Sequence, residues 1–245
     1  YFSQRITEDG WQDAINNPLN FADLPLLPVL KEDGQELTIQ VDFPEGPVQV
    51  RVWEVRVGRT PLYLLDTNMD VNHPMVRQLT MRLYWSDINL RIMQEIVLGV
   101  GGVRMLRALG FNPQVWHMNE GHAAFMTLER ARELVKTGQT FDEAINASKA
   151  NNVFTTHTPV PAGNDEFPLW LIDKYLATLW PELGLSRDQF VDLARHQQNW
   201  GETFSMPVLA LKFSEGRNAV SELHGVVSRQ MWHELWPERS VDEVP

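Results

Sequence analysis

Val115-Trp116-His117-Met118-Asn119-Glu120-Gly121-His122-Ala123-Ala124-Phe125 decides how the chain is read. A short apolar run meets a polar cluster and then opens into a helical pattern through Phe125, Leu128, Ala131, Leu134 and Val135 to Gly138. The same grammar returns at Val153-Phe154-Thr155-Thr156-His157-Thr158-Pro159. Between the two, Thr140 to about Ala150 reads as a short helix, with Thr140 and Glu143 spaced as a capping box. Strand, helix and strand in this order imply a right-handed crossover and parallel pairing. Both polar ends then share the carboxyl edge of one sheet, where open α/β sheets bind ligands. The expected class is α/β, with a βαβ core over residues 115–158.

Working outward, residues 1–36 read as irregular, because Asn17-Pro18, Leu24-Pro25 and Leu27-Pro28 interrupt any long helix. Trp11 and Phe21 are expected to pin that segment to a body outside this chain. Residues 37–65 read as an antiparallel meander: Leu37–Phe43 alternates, Pro44-Glu45-Gly46-Pro47 turns, and Pro61–Leu65 is a third strand. Val48, Val50 and Val52 share one parity and Val55 and Val57 the other, which predicts a bulge at Trp53-Glu54. Met75–Tyr84 reads as helix, broken at Trp85-Ser86-Asp87, and a second helix runs from about Asn89 to Leu106. Gly99, Gly101 and Gly102 lie inside that helix with no strand before them. They fit close helix packing better than a phosphate loop, and Gly110 and Pro113 end the helix. Residues 168–236 read as all-helical, including a second capping box at Ser186-Arg187-Asp188-Gln189. The whole, 1–245, reads as one domain incomplete at both ends, starting at Tyr1-Phe2-Ser3-Gln4-Arg5 rather than at a methionine or a signal peptide.

Composition removes several classes. A net charge of −11 lacks the basic stripe that nucleic acid requires, and no apolar run reaches the roughly 20 residues of a membrane span. Cysteine is absent, so disulfides, thiolate nucleophiles and Cys-ligated zinc are excluded. The default compartment is cytoplasmic. Nine tryptophans are many for 245 residues; they read as core and rim residues before they read as sugar-stacking walls.

At the first polar end, Asn119 stands where an N-cap belongs, and Glu120 suits a first helical turn. His117-x-x-Glu120-x-His122 lacks the one-turn spacing that places two histidines on one helix face, so no metal is expected. At the second end, His157 sits among Thr155, Thr156 and Thr158, with Pro159 and Pro161 stiffening the exit. A structural histidine fits that pattern. So does a neutral donor-acceptor set for a polyhydroxylated ligand. No Ser-His-Asp array or nucleophile elbow is visible.

Longer motifs carry a resemblance. Gln94-Glu95-Ile96-Val97-Leu98-Gly99, Gly101-Gly102-Val103-Arg104, Leu109-Gly110, the run Val115–Phe125 and the run Val153–Gly163 resemble the α-glucan (glycogen, starch, maltodextrin) phosphorylases, in their bacterial short-type branch. The resemblance reaches from Tyr1–Ile6 through Leu64-Leu65-Asp66-Thr67-Asn68 to Asn218-Ala219-Val220-Ser221 and Leu223-His224. It implies part of the N-terminal lobe of a two-lobed, GT-B-like glycosyltransferase with a Rossmann-like parallel sheet. The implied reaction moves a terminal glucosyl unit of an α-1,4-glucan or maltodextrin to orthophosphate, with retention, giving α-glucose 1-phosphate. Pyridoxal 5′-phosphate is the implied cofactor, acting through its phosphate; its lysine would lie in the other lobe, outside this chain.

By motif match, His157 resembles the histidine that binds the glucosyl unit at the cleavage subsite. Asn119, Glu120 and His122, with Thr158, resemble the pocket lining beside that sugar. Leu83-Tyr84-Trp85-Ser86-Asp87 and Arg91-Ile92-Met93-Gln94-Glu95 resemble the gate loop and the helix after it, with Asp87 as the gate acid; Trp85-Ser86 departs from the pattern there. Ala219 stands where the family usually has glycine. The implied partners are glucan, orthophosphate and the second lobe, and a homo-oligomer stays open. Two other readings remain: a non-catalytic carbohydrate-binding or regulatory module derived from such an enzyme, and a sugar-nucleotide-dependent transferase of similar plan.

Overall fold

The computed structural model describes residues 2–16, 21–83, 85–160 and 163–245. Tyr1, Asn17-Pro18, Tyr84 and Pro161, which entered the sequence reading, lie outside them. The first region is less irregular than expected. Strands β1 (Phe2–Ile6) and β2 (Gln12–Asn16) pair antiparallel as a hairpin. Trp11 is 76% exposed, whereas Phe21 packs edge-on against Trp53 within the chain.

The antiparallel sheet has four strands rather than three. β3 (Leu27–Pro28), β4 (Thr38–Phe43) and β6 (Thr60–Asp66) all pair with the long β5 (Gly46–Val57). Ile39, Val41 and Phe43 of β4 and Val48, Val50 and Val52 of β5 form its buried face. The bulge expected at Trp53-Glu54 is absent: the register runs unbroken from Arg51↔Asp66 to Val57↔Thr60. Valine parity changes because β5 outruns the core, leaving Val57 exposed at its far end.

Of the helix expected over Met75–Tyr84, only α1 (Pro74–Arg77) forms; turns follow it. The next helix is one rod in three parts, α2 (Ile88–Ile96), a π-helical turn (Val97–Gly101) and α3 (Gly102–Ala108). Its glycines explain its position. A Cβ on Gly99 would stand 2.7 Å from Met126 N and 2.9 Å from Phe125 Cβ, and one on Gly101 would stand 3.3 Å from Val41 Cγ2. The rod is thus wedged between the antiparallel sheet and the following helix; Gly102 meets nothing and is not part of the wedge. Because the atoms in the way at Gly99 are backbone, Gly99→Ala is expected to destabilise the fold by about 1–3 kcal/mol. A lowered denaturant midpoint checks this, and an unchanged midpoint contradicts the wedge.

The βαβ unit forms as read. β7 (Trp116–Asn119) leads through α4 (Phe125–Val135) and α5 (Phe141–Lys149) to β8 (Asn152–Thr156), which pairs parallel to β7. The capping box of Thr140 and Glu143 is present. Met118 and Phe154 are fully buried on one face of this sheet, each such side chain contributing roughly 1.5–3 kcal/mol.

The last third departs from the all-helical expectation. β9 (Glu166–Pro168) precedes α6 (Leu169–Leu176), α7 (Leu179–Glu182) and α8 (Arg187–Asp192), whose capping box of Ser186 and Gln189 is in place. β10 (Arg195–Gln198) and β11 (Gly201–Ser205) then form a hairpin, and β11 pairs β9. Arg195-His196-Gln197-Gln198 has no apolar alternation, so nothing in its pattern announces a strand. What holds the hairpin is Phe204, stacked on Phe190 at 5.7 Å and on Phe125 at 6.3 Å. After α9 (Met206–Lys212), β12 (Gly216–Ala219) joins the parallel sheet beside β8, giving the order β12-β8-β7, and α10 (Glu222–Met231) follows. The result is a mixed α/β fold of parallel and antiparallel sheets. Among the described residues, no helix is long and apolar enough to cross a membrane.

Candidate functional site

The carboxyl ends of β7 and β8 carry both polar clusters, as parallel pairing requires. Asn119 and Glu120 do not cap a helix. Asn119 is the last residue of β7, and α4 begins after a short 3-10 turn (Gly121–Ala123) with no side-chain cap. Glu120 has φ 76° and ψ 172°, and it is the one non-glycine residue of positive φ among the described residues. That conformation carries strain of about 1–3 kcal/mol for a residue with a Cβ. The chain behind it is held: the Glu120 amide donates to Thr155 O at 2.9 Å, and Gly121 backs onto Met206 and Pro207.

This backbone turns the Glu120 carboxylate toward the end of β8. Oε2 accepts the His157 amide at 2.7 Å and the Thr158 hydroxyl at 2.8 Å. The side chain is only 8% exposed, and Oε1 is buried without a protein partner. Asn119 Oδ1 pairs closely with His157 Nε2, so the imidazole is held from the neighbouring strand. A carboxamide acceptor at Nε2 requires the proton there.

Beside them opens a cleft of about 590 Å³ lined by Trp85, Arg91, Asn119, Glu120, His122, His157, Thr158, Gly163 and Asp165, a size suited to a small ligand. Five of the six residues singled out in the sequence meet there. The sixth, Asp87, does not line it: its Oδ1 accepts the amides of Asn89 and Leu90 and caps α2. His117 is also elsewhere, its Nε2 lying 2.7 Å from Thr155 Oγ1, which donates to Asn218 Oδ1.

Asp165 escaped the sequence reading, which met Arg91 only as part of the helix after the gate loop; together they organise one wall. Arg91 grips Asp165 bidentately, Nη2 to Oδ2 at 2.7 Å and Nε to Oδ1 at 3.1 Å. His122 Nδ1 lies 2.8 Å from the same Oδ2, and Arg91 Nε lies 3.1 Å from Glu95, 1% exposed. Glu95, His122 and Asp165 bring ligand-type atoms within 4.8 Å of one another. The Arg91 guanidinium already contacts all three, so a positive charge stands where a metal would need to be.

Burial alone would raise Asp165, but hydrogen bonds from His122 and Arg91 and the arginine charge outweigh it and hold this carboxyl well below its usual range. Burial first, then the facing Asp165, push Glu95 well above its usual 4.5. The two have opposite consequences for stability. Asp165 contributes stability above its unfolded value, lost as pH falls. Glu95 keeps its proton when folded and releases it near 4.5 when unfolded, so stability falls as pH rises beyond that value until folded Glu95 ionises. Glu95→Gln removes the second effect. Its stability relative to the parent is expected to improve between pH 4 and pH 8, as chemical denaturation at both pH values checks; a constant difference contradicts a buried protonated Glu95.

No family model matches the chain. Curated relatives do. The maltodextrin phosphorylase of Thermococcus litoralis is 42% identical over 245 residues, covering the whole chain and 29% of that protein. The glycogen phosphorylase of Mycobacterium tuberculosis is 41% identical over 260 aligned residues, again the whole chain and 30% of the relative. The glycogen phosphorylase of Aquifex aeolicus is 35% identical over 239 residues, 98% of the chain and 34% of the relative. The chain spans about a third of the length of the curated relatives it matches. Identity at this level over 98–100% of its length places it: the chain belongs to the family of glycogen and maltodextrin phosphorylases.

Proposed function

We propose that the cleft at the ends of β7 and β8 binds the terminal glucosyl unit of an α-1,4-glucan. The protein that carries this chain would then transfer that unit to orthophosphate with retention, releasing α-glucose 1-phosphate. The observation that carries the reading is the meeting of Asn119, Glu120, His122, His157 and Thr158 in one 590 Å³ cleft, with Glu120 Oε1 buried and unpartnered. The carboxamide, imidazole and hydroxyl groups gathered there are the uncharged donors and acceptors that a polyhydroxylated ligand pairs with. His157, held by Asn119, would hydrogen-bond the glucosyl unit, and the backbone beside it would face the positive charge that develops at the anomeric carbon.

Pyridoxal 5′-phosphate belongs to this reading through the family, and the cleft does not fit it. Among the described lining residues there is no lysine for a Schiff base, and Arg91 is engaged by Asp165 and Glu95. The cofactor and the orthophosphate would therefore be held by residues other than these. In the same reading residues 1–245 form part of the N-terminal lobe of a GT-B-like, cytoplasmic enzyme, with residues 37–65, 115–158 and 168–236 as its subregions. The second lobe would close over the cleft. The rival reading is a module that binds glucan without turning it over.

The test is phosphorolysis by the whole protein. With maltodextrin, orthophosphate and pyridoxal phosphate it is expected to release glucose 1-phosphate of α configuration. Glucan binding without any release supports the rival.

A further inference from the structure

Trp85 is the one indole, phenyl or phenol ring among the described residues that line the cleft, and the sequence reading gave it no task. Its ring is fixed. Nε1 donates to Leu79 O at 3.0 Å, and Gln94 on α2 donates to Leu79 O at 2.8 Å and to Arg82 O at 2.6 Å. The segment that carries Trp85 is therefore tied at two carbonyls to the rod beneath it. The guanidinium of Arg82 sits 4.8 Å from the ring centre, over one face, and an indole has two.

The rest of the lining is polar: Arg91, Asn119, Glu120, His122, His157, Thr158 and Asp165, with Gly163 offering no side chain. A pyranose is amphipathic, with hydroxyls around its rim and C–H groups on its faces. Polar side chains satisfy the rim. Only a flat apolar surface removes the C–H face from water, and a rigid indole does so at little cost in side-chain entropy.

Resting on the reading of the cleft as a glucan site, we propose that Trp85 is the stacking platform that positions a pyranose ring of the glucan in it. Trp85 is then a specificity-determining residue, supplied by the loop that was expected to contribute Asp87. The Asp87 carboxylate is occupied by two amides of α2, so the loop's contribution to the ligand is apolar rather than acidic.

The experiment is a titration of the isotopically labelled whole protein that carries this chain with maltoheptaose, read by heteronuclear NMR, for the parent, Trp85→Ala, Trp85→Phe and His157→Ala, with thermal melts as folding controls. In the parent, the Trp85 indole N–H resonance should shift and saturate together with the backbone resonances of His157. Trp85→Ala should bind at least about ten-fold more weakly, and Trp85→Phe, which keeps a ring, should stay within about three-fold of the parent. A Trp85 resonance that does not move overturns the platform. So does an alanine variant that binds like the parent, or a phenylalanine variant of parental melting temperature that binds as poorly as alanine. In those cases loss of binding in His157→Ala leaves the glucan reading standing. If the parent shows no saturable binding at all, the glucan reading itself fails and the platform with it.

Discussion

Glu120→Ala is expected to destabilise the chain by about 3 kcal/mol and to loosen the His157 segment. The parent carboxylate accepts two hydrogen bonds from the far strand end, from the His157 amide and the Thr158 hydroxyl. Hydrogen bonds to a charged partner contribute about 1.5–3 kcal/mol each, and truncation leaves both donors without an acceptor. Alanine also keeps the strain, because its Cβ still meets φ 76° and ψ 172°. Glycine does not. Glu120→Gly should therefore be more stable than Glu120→Ala by about 1 kcal/mol, the strain relief less the extra unfolded-state entropy of glycine. Urea unfolding of the three proteins checks both differences. If alanine proves the more stable variant, the backbone at this turn is not strained as described.

His157→Ala is expected to lower the rate of glucose 1-phosphate release by the whole protein at least about 100-fold, about 2.7 kcal/mol of transition-state stabilisation. The imidazole is exposed to the cleft and held by Asn119, so its loss removes a pre-oriented hydrogen-bonding group while leaving the packed core of Met118 and Phe154 untouched. The fold should accordingly survive. Asn119→Ala is expected to show a weaker version of the same defect, since it frees the ring without removing it. Steady-state phosphorolysis, compared with the melting temperature of each variant, separates loss of a functional group from loss of folded protein.

How much of this was legible depended on whether the signal was local. The βαβ unit was readable because its cues sit within a few residues: the apolar runs at Trp116 and Val153, and the reciprocal Thr140 and Glu143 cap. The β9-β11 sheet was not, because Arg195-His196-Gln197-Gln198 is polar on both faces and its packing comes from Phe204 against Phe190, far away in sequence. At the site, the nearness of Asn119, Glu120, His157 and Thr158 followed from parallel pairing. Their hydrogen bonds did not: N-capping was the local expectation for Asn119, and only the partner strand explains why Glu120 adopts a positive φ instead. Asp165 had no local mark. Its partner Arg91 lies 74 residues earlier, and an aspartate before a short strand looks like any turn residue. Asp87 shows the converse, a residue whose motif position suggested function and whose side chain serves a helix end.

If the polar ends of β7 and β8 together form a glucosyl-binding wall, a bound glucan must touch both. The most direct measurement is the set of backbone and side-chain NMR shifts that maltoheptaose produces in the labelled whole protein. Saturable shifts should cluster at Asn119, Glu120, His157 and Thr158, with the β1-β2 hairpin unaffected. Saturable shifts centred anywhere else, with those four residues silent, would contradict such a wall.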